Sequence, residues 1–287
     1  MSKRWAIQLA FFTAISATCA LGQASSPAKT TTNFPPLEQW KSAVVSGNAS
    51  ALKSLYSSNP APKIMGGSGD STEDGEIAFW TGLKARRITL KIAESTSPQQ
   101  GLQQVVFEAE VHSGAASAGH VVYVTEGQLW QQQLDGWKLV ATKRSDAAKL
   151  EQPTSTSKVI YAPGIDAHEE IKQALARAAR EHKNVLIVFG ANWCYDCHVL
   201  DLAFQRPDLA PILQHNYVVV HVDIGEFNKN LDLMQQYNAP MQKVPSLAVL
   251  NDKGKLLYSQ QGGEFSKARA LAPEDIRAFL NKWKPGA

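Results

Sequence analysis

The stretch VLIVFGANWCYDCHVL, residues 185–200, constrains the fold of this chain more than any other. Val185 to Phe189 form an unbroken apolar run with three β-branched residues. A strand with one solvated face would alternate, so this pattern reads as a central strand buried on both faces. After Gly190-Ala191-Asn192 come Trp193, Cys194 and, three residues on, Cys197. The following CHVLDLAF continues with helical spacing. Two cysteines where a buried strand meets a helix form a C-x-x-C thiol–disulfide motif. The same letters with His198 spell C-x-x-C-H, the attachment signal of a c-type haem. With His215 and His221 they also give C-x-x-C…H-x5-H, a zinc-like layout, and a purely structural disulfide is a fourth reading.

The rest of the chain bears on this choice. At 287 residues it is long enough for two domains with separate cores. Its 44% hydrophobic and 19% charged residues suit a globular protein. The formal charge is only +3 and there is no Lys/Arg block, so no nucleic-acid partner is expected. The N-terminus carries Lys3 and Arg4, an apolar stretch, and small residues at Ala20, Gly22 and Ala24, the pattern of a secretory signal spanning residues 1–24. Gln8, Thr13 and Thr18 interrupt the apolar run, which argues for cleavage over retention as an anchor. The expected compartment is therefore the periplasm or the exterior. Cleavage would remove Cys19 and leave Cys194 and Cys197 as the only cysteines, in a disulfide-permissive setting.

Residues 25–35 (SSPAKTTTNFP) read as a linker, and the polar stretch at 146–158 as a second one. Between them, 36–145 begins with helical patterns and continues with alternating strands. In VVFEAEVH, Val105, Phe107, Ala109 and Val111 share one face, while Glu108, Glu110 and His112 share the other. That register makes the polar set a solvated or subunit-facing stripe rather than an acid/base triad. Helices followed by an antiparallel meander predict an α+β domain whose curved sheet covers its helices, in a cone-like arrangement. The order, with its Trp/Gln-rich strand turning through DGWKLV, resembles the SnoaL-like and nuclear-transport-factor-like domains. That resemblance implies either an enzyme using a pocket Asp or His or a domain that only binds ligands or dimerises. With the polar set on the face away from the helices, the expectation is a binding or scaffolding module, with a homodimer formed through it.

From 159 to 287 the pattern becomes helix, strand, helix, strand, helix, two strands and a last helix. IDAHEEIKQALARAAREHK carries a D-x-x-E capping signal from Asp166 to Glu169 and an apolar stripe through Ile171, Ala174, Leu175 and Ala178. This order, with Trp193-Cys194-x-x-Cys197 and the later Val244-Pro245, resembles the thioredoxin-like α/β fold over about 130 residues. The resemblance implies that Cys194, at a helix N-terminus, is the attacking thiol and Cys197 the resolving one. It also implies a cis Pro245 facing the dithiol, with the Val244 backbone pairing with the incoming chain, and Trp193 as an apolar platform beside the sulfur.

Two departures from thioredoxin stand out. The position six residues before the first cysteine, where many thioredoxins carry a buried Asp, is Val188. The inter-cysteine pair is Tyr195-Asp196, so a carboxylate beside the thiolate would raise the cysteine pKa while a protonated His198 would lower it. Asp196, His198 and Trp193 are thus expected to tune the site.

The strand context and Val244-Pro245 favour redox chemistry over haem, with His198 then an exposed first-turn helix residue. The 17 residues between Cys197 and His215, and the place of His221 inside a strand pattern, weigh against zinc. The expectation is an exported thiol–disulfide oxidoreductase that needs no cofactor or metal. It would act on protein disulfides, as a reductase or relay kept reduced by a membrane electron-transfer partner. The alternative is a non-catalytic binding protein with a docking domain of this fold.

Overall fold

The computed structural model describes residues 34–114 and 120–286. The signal segment, Cys19 and the expected linker up to residue 33 lie outside the described residues. The chain divides into two compact units, with the boundary between Ala147 and Ala148. Among the described residues, no helix is long and apolar enough to cross a membrane.

The N-terminal unit begins with helices α1 (Pro35–Val45) and α2 (Ala49–Leu55), the short strands β1 (Lys63–Gly66) and β2 (Gly69–Asp70), and helix α3 (Glu73–Gly82). Four longer strands follow: β3 (Ala85–Thr96), β4 (Leu102–Ser113), β5 (His120–Gln133) and β6 (Gly136–Arg144). They form one sheet in the order β2-β1-β6-β5-β4-β3. The meander β3 to β6 is antiparallel, and β1 adds to β6 in parallel. Irregular register between Ile92 and Glu94 and at Leu129–Trp130 bends the strands. Asn48 and Thr72 cap α2 and α3, their side-chain oxygens accepting the Ala51 and Gly75 N–H groups. The core is aromatic: Trp40 meets Trp80 edge-on at 4.8 Å and packs on Phe107 at 5.4 Å. Phe34, placed in the linker by sequence, is buried edge-on against Trp130 and Trp137.

The period of two in β4 holds, with Val105, Phe107, Ala109 and Val111 fully buried. The opposite face is less solvated than expected. Glu108 is buried, lying opposite Lys91 of β3 and Thr125 of β5. Glu110 pairs with His112, whose Nε2 lies 3.0 Å from Arg87 Nη2. Glu108 alone of the three is buried, while the paired Glu110 and His112 stay partly exposed.

The C-terminal unit comprises α4 (Ala167–Glu181), β7 (Asn184–Gly190), α5 (Tyr195–Phe204), α6 (Ala210–Asn216), β8 (Tyr217–Asp223), α7 (Leu231–Gln236), β9 (Ser246–Leu250), β10 (Leu256–Ser259), a 3-10 turn at Ala268–Ala270, and α8 (Pro273–Lys282). The sheet order is β10-β9-β7-β8, with β8 parallel to β7 and β9 antiparallel to it. All seven residues of β7 are buried. Val185, Ile187 and Phe189 pack with Ile171, Ala174 and Ala178 of α4, while Leu186 and Val188 pack with Val199 and Leu200 of α5 and Ile276 and Leu280 of α8. This is a sheet covered on both faces, which is why β7 lacks polar alternation. Leu150, within the stretch expected to be a linker, is fully buried in the second of these cores. The polar composition around it hid a single apolar anchor.

Candidate active site

Cys194 occupies the N-cap of α5, and its Sγ accepts the Cys197 backbone N–H at 3.2 Å. The first turn of a helix has N–H groups without intrahelical partners, and here one of them points at sulfur. Cys194 and Cys197 are joined by a disulfide, with Cα atoms 5.2 Å apart. Both are buried, Cys194 at 5% exposure and Cys197 at 2%. The Val244–Pro245 peptide is cis, and Val244 packs against the cluster formed by Tyr161, Cys194 and Cys197. Pro245 O accepts from the amide of the fully buried Gln260 at 3.3 Å. Trp193 is 42% exposed; its indole N–H donates to Gly225 O at 2.9 Å and its ring lies 5.6 Å from Phe227. The structure thus gathers Trp193, the dithiol and the Val244-Pro245 segment at the end of β7.

Two of the three tuning residues, Asp196 and His198, are placed differently from expectation. Asp196 does not present a bare carboxylate to the sulfur. Its oxygens accept the Arg269 backbone N–H at 2.9 Å, Nε at 3.0 Å and Nη2 at 2.6 Å. Arg269 also lies over the Tyr195 ring at 4.7 Å, and its bond to Asp196 raises its pKa. The carboxylate is neutralised locally by a residue 73 positions away. His198 is buried, not exposed, at 3%. Its Nε2 donates to Asn192 O at 2.8 Å, because α5 turns this side chain back onto the loop that precedes it. The nitrogen a haem iron would ligate is therefore committed to a backbone carbonyl.

His221 lies opposite Val188 on β8 and meets Tyr161 edge-on at 5.5 Å. Burial pushes its pKa down. Among the described residues, no group of three or more His, Cys, Asp or Glu is placed to hold a metal ion.

Sequence reasoning missed four contributors: Asn192, Tyr161, Gly190 and Arg269. Asn192 is a clamp: its Oδ1 accepts the Ile160 and Tyr161 N–H groups at 2.9 Å each, and its Nδ2 donates to Tyr161 O at 2.8 Å. Tyr161, thus fixed, places its side chain beside the dithiol at 1% exposure. Gly190 makes room for it, since a β-carbon there would collide with the Tyr161 hydroxyl and lie 2.8 Å from Cys197 Sγ. The glycine before the motif was the one local signal of this close approach. Tyr161 and Arg269 had none.

Residues 166–252 match the thioredoxin-like family. This chain is a member of that family through its C-terminal unit. The thioredoxin-like unit is similar to a disulphide isomerase from Xylella fastidiosa Temecula1, at 36% identity over 44% of this chain and 97% of that one, with a TM-score of 0.42. The N-terminal region is similar to an NTF2-like protein from Rhodospirillum rubrum, at 21% identity over 39% of this chain and 94% of that one, TM-score 0.33. It is also similar to a ketosteroid isomerase-like protein from Erwinia carotovora atroseptica, at 13% identity over 39% and 90%, TM-score 0.32. No curated protein matches the chain.

The N-terminal unit holds a polar cluster of its own. The Glu76 carboxylate accepts Trp80 Nε1 at 2.9 Å and Arg144 Nε at 2.9 Å, and Arg144 lies 3.3 Å over the Phe79 ring. Glu126, almost wholly buried, accepts from Gln128 at 3.1 Å. Burial, and then the Glu76 charge, push the Glu126 carboxyl well above the usual carboxylate range.

Proposed function

We propose that this protein is an exported thiol–disulfide oxidoreductase that exchanges protein disulfides through Cys194 and Cys197. The observation that carries the reading is the placement of Cys194 at the N-cap of α5, paired with Cys197 and faced by Val244-Pro245. In the reduced protein the Cys194 thiolate, favoured by the helix N-terminus, attacks one sulfur of a substrate disulfide. One substrate sulfur leaves as a thiolate and a mixed disulfide remains on Cys194. Cys197 then attacks Cys194 Sγ, forming the intramolecular disulfide and releasing the second substrate thiol. The substrate gains two electrons and two protons, and the enzyme loses them. The Val244 backbone offers an extended chain a place to pair, and exposed Trp193 gives it an apolar surface.

The charged start and apolar stretch at residues 1–24 support export. The reductase or relay direction requires a partner that returns electrons to the dithiol, which we assign to a membrane electron-transfer reductase. The N-terminal unit serves as a binding or dimerisation module. Insulin reduction by dithiothreitol tests the core of this reading: the wild type should accelerate precipitation of the insulin B chain, and Cys194→Ser should abolish the acceleration. Equal rates for the two would leave a non-catalytic docking domain as the correct reading.

A further inference from the structure

The Tyr161 side chain is 1% exposed, yet its hydroxyl has no hydrogen-bond partner. A buried polar group in that state costs free energy, so its placement calls for a reason. The hydroxyl is not left there by loose packing. Three hydrogen bonds with Asn192, two accepted by its Oδ1 and one donated by its Nδ2, pin the backbone of residues 160–161, and the His221 ring meets the Tyr161 ring edge-on. Gly190 removes the β-carbon that would otherwise stand at the point flanked by Tyr161 Oη and Cys197 Sγ. Burial, followed by the charges of Asp201 and Asp223, raises the phenol pKa, so the group remains a donor at any pH the protein meets.

We propose that Tyr161 is a positioning residue for the resolving cysteine, its hydroxyl donating a hydrogen bond to Cys197 sulfur when the disulfide is reduced. The inference rests on the redox reading above. In the disulfide, Cys197 sulfur is a weak acceptor and the hydroxyl goes unpaired. In the reduced protein Cys197 carries a free thiol sulfur, a better acceptor than a disulfide sulfur, and it becomes a charged acceptor near the hydroxyl as it loses its proton to attack. The hydroxyl therefore stabilises the reduced state relative to the oxidised one. No proton is transferred to or from Tyr161. When Cys197 attacks Cys194 Sγ in the mixed disulfide, the Cys194–Cys197 bond forms and the substrate S–S bond breaks. The departing substrate sulfur carries off the electron pair, and the proton Cys197 has lost is matched by the one that sulfur gains. Val188 stands where many thioredoxins carry an acid, and the Tyr161 hydroxyl is a polar group packed with the dithiol.

The test uses the full chain equilibrated in glutathione redox buffers, with the thiol state read by a mass-tagging alkylating agent. Tyr161→Phe keeps the ring and deletes only the donor. Its disulfide should be favoured about tenfold more than that of the wild type, a fall of about 30 mV in reduction potential. Urea midpoints give a second readout: the variant's oxidised form should be more stable than the wild type and its reduced form less stable. A merely structural tyrosine would shift both forms in the same direction. A potential within twofold of the wild-type equilibrium, or midpoints that move together, overturns the inference while leaving the redox reading intact. A wild-type Cys194–Cys197 pair that fails to exchange with glutathione at all overturns the redox reading itself.

Discussion

The pairing of Asp196 with Arg269 makes the sharpest prediction about the site. Asp196 has a side chain only 10% exposed, whereas 43% of the Arg269 side chain meets solvent. Arg269→Ala removes the Nε and Nη2 donors and leaves the carboxylate with the residue 269 backbone N–H alone. Hydrogen bonds to a charged group contribute about 1.5–3 kcal/mol each, and stranding one member of a fully buried pair costs about 3–5 kcal/mol. Solvent reaches nearly half of the arginine, so the loss falls to about 2 kcal/mol. Asp196→Asn strands nothing comparable, because the freed guanidinium can turn to water; its cost is about 1 kcal/mol.

In the double variant no carboxylate remains to be stranded, and the cost is about 1.5 kcal/mol rather than the sum of the singles. The assay is urea unfolding of the oxidised full-length chain, with hydrogen exchange of β7 and β9 peptides reporting the C-terminal unit. Single costs that add to within about 0.5 kcal/mol would refute the energetic link. A second readout separates charge from packing. Iodoacetamide labelling of reduced Cys194 should show its pH midpoint raised by about half a unit to one unit in Arg269→Ala, because an uncompensated carboxylate opposes the thiolate. Asp196→Asn should show no such rise, and identical midpoints in wild type and Arg269→Ala would show that the carboxylate is not felt at the sulfur.

Three further outcomes are expected. Gly190→Ala forces a methyl group to within 2.6 Å of Tyr161 Cζ and 2.8 Å of Cys197 Sγ, both residues being buried, so thermal melting should show a loss of about 2–3 kcal/mol; an unchanged melting temperature would contradict the close approach. Asn192→Ala removes all three bonds that hold residues 160–161, and urea unfolding should show about 2–3 kcal/mol less stability. Faster hydrogen exchange should appear at Ile160 and Tyr161 before it appears in β7. In the N-terminal unit, burial holds Glu126 protonated to higher pH when folded than when unfolded, so folding takes up a proton. Its stability should be constant below the ordinary carboxylate range and fall as pH rises through the folded pKa, by about 1.4 kcal/mol per unit crossed. Glu126→Gln should flatten that slope in urea titrations followed by hydrogen exchange of β5, and an equally steep slope in the variant would assign the effect elsewhere.

The local chemistry of this chain was legible in its sequence. The unbroken apolar run of β7, the capped and amphipathic α4, the alternation in β4 and the cysteine spacing are all properties of neighbouring residues. Backbone periodicity alone converts them into elements and faces. Those elements in order were enough to identify a thioredoxin-like unit and to place Cys194 at a helix N-terminus. The partners of the site were not legible, because they come from distant parts of the chain and carry no periodic signal. Arg269, in a short 3-10 turn, neutralises Asp196 and so cancels the charge that the C-x-x-C sequence displays. His198, polar and in a first helical turn, looked exposed until packing turned it onto the Asn192 carbonyl. Leu150 and Phe34 lay in polar stretches whose composition masked one anchoring residue each. Tyr161 reaches Cys197 only because Asn192 holds its backbone and Gly190 leaves the space. Sequence thus determined which atoms could react, and the tertiary structure decided which charges and donors surround them, since electrostatics depends on distance in space and not along the chain.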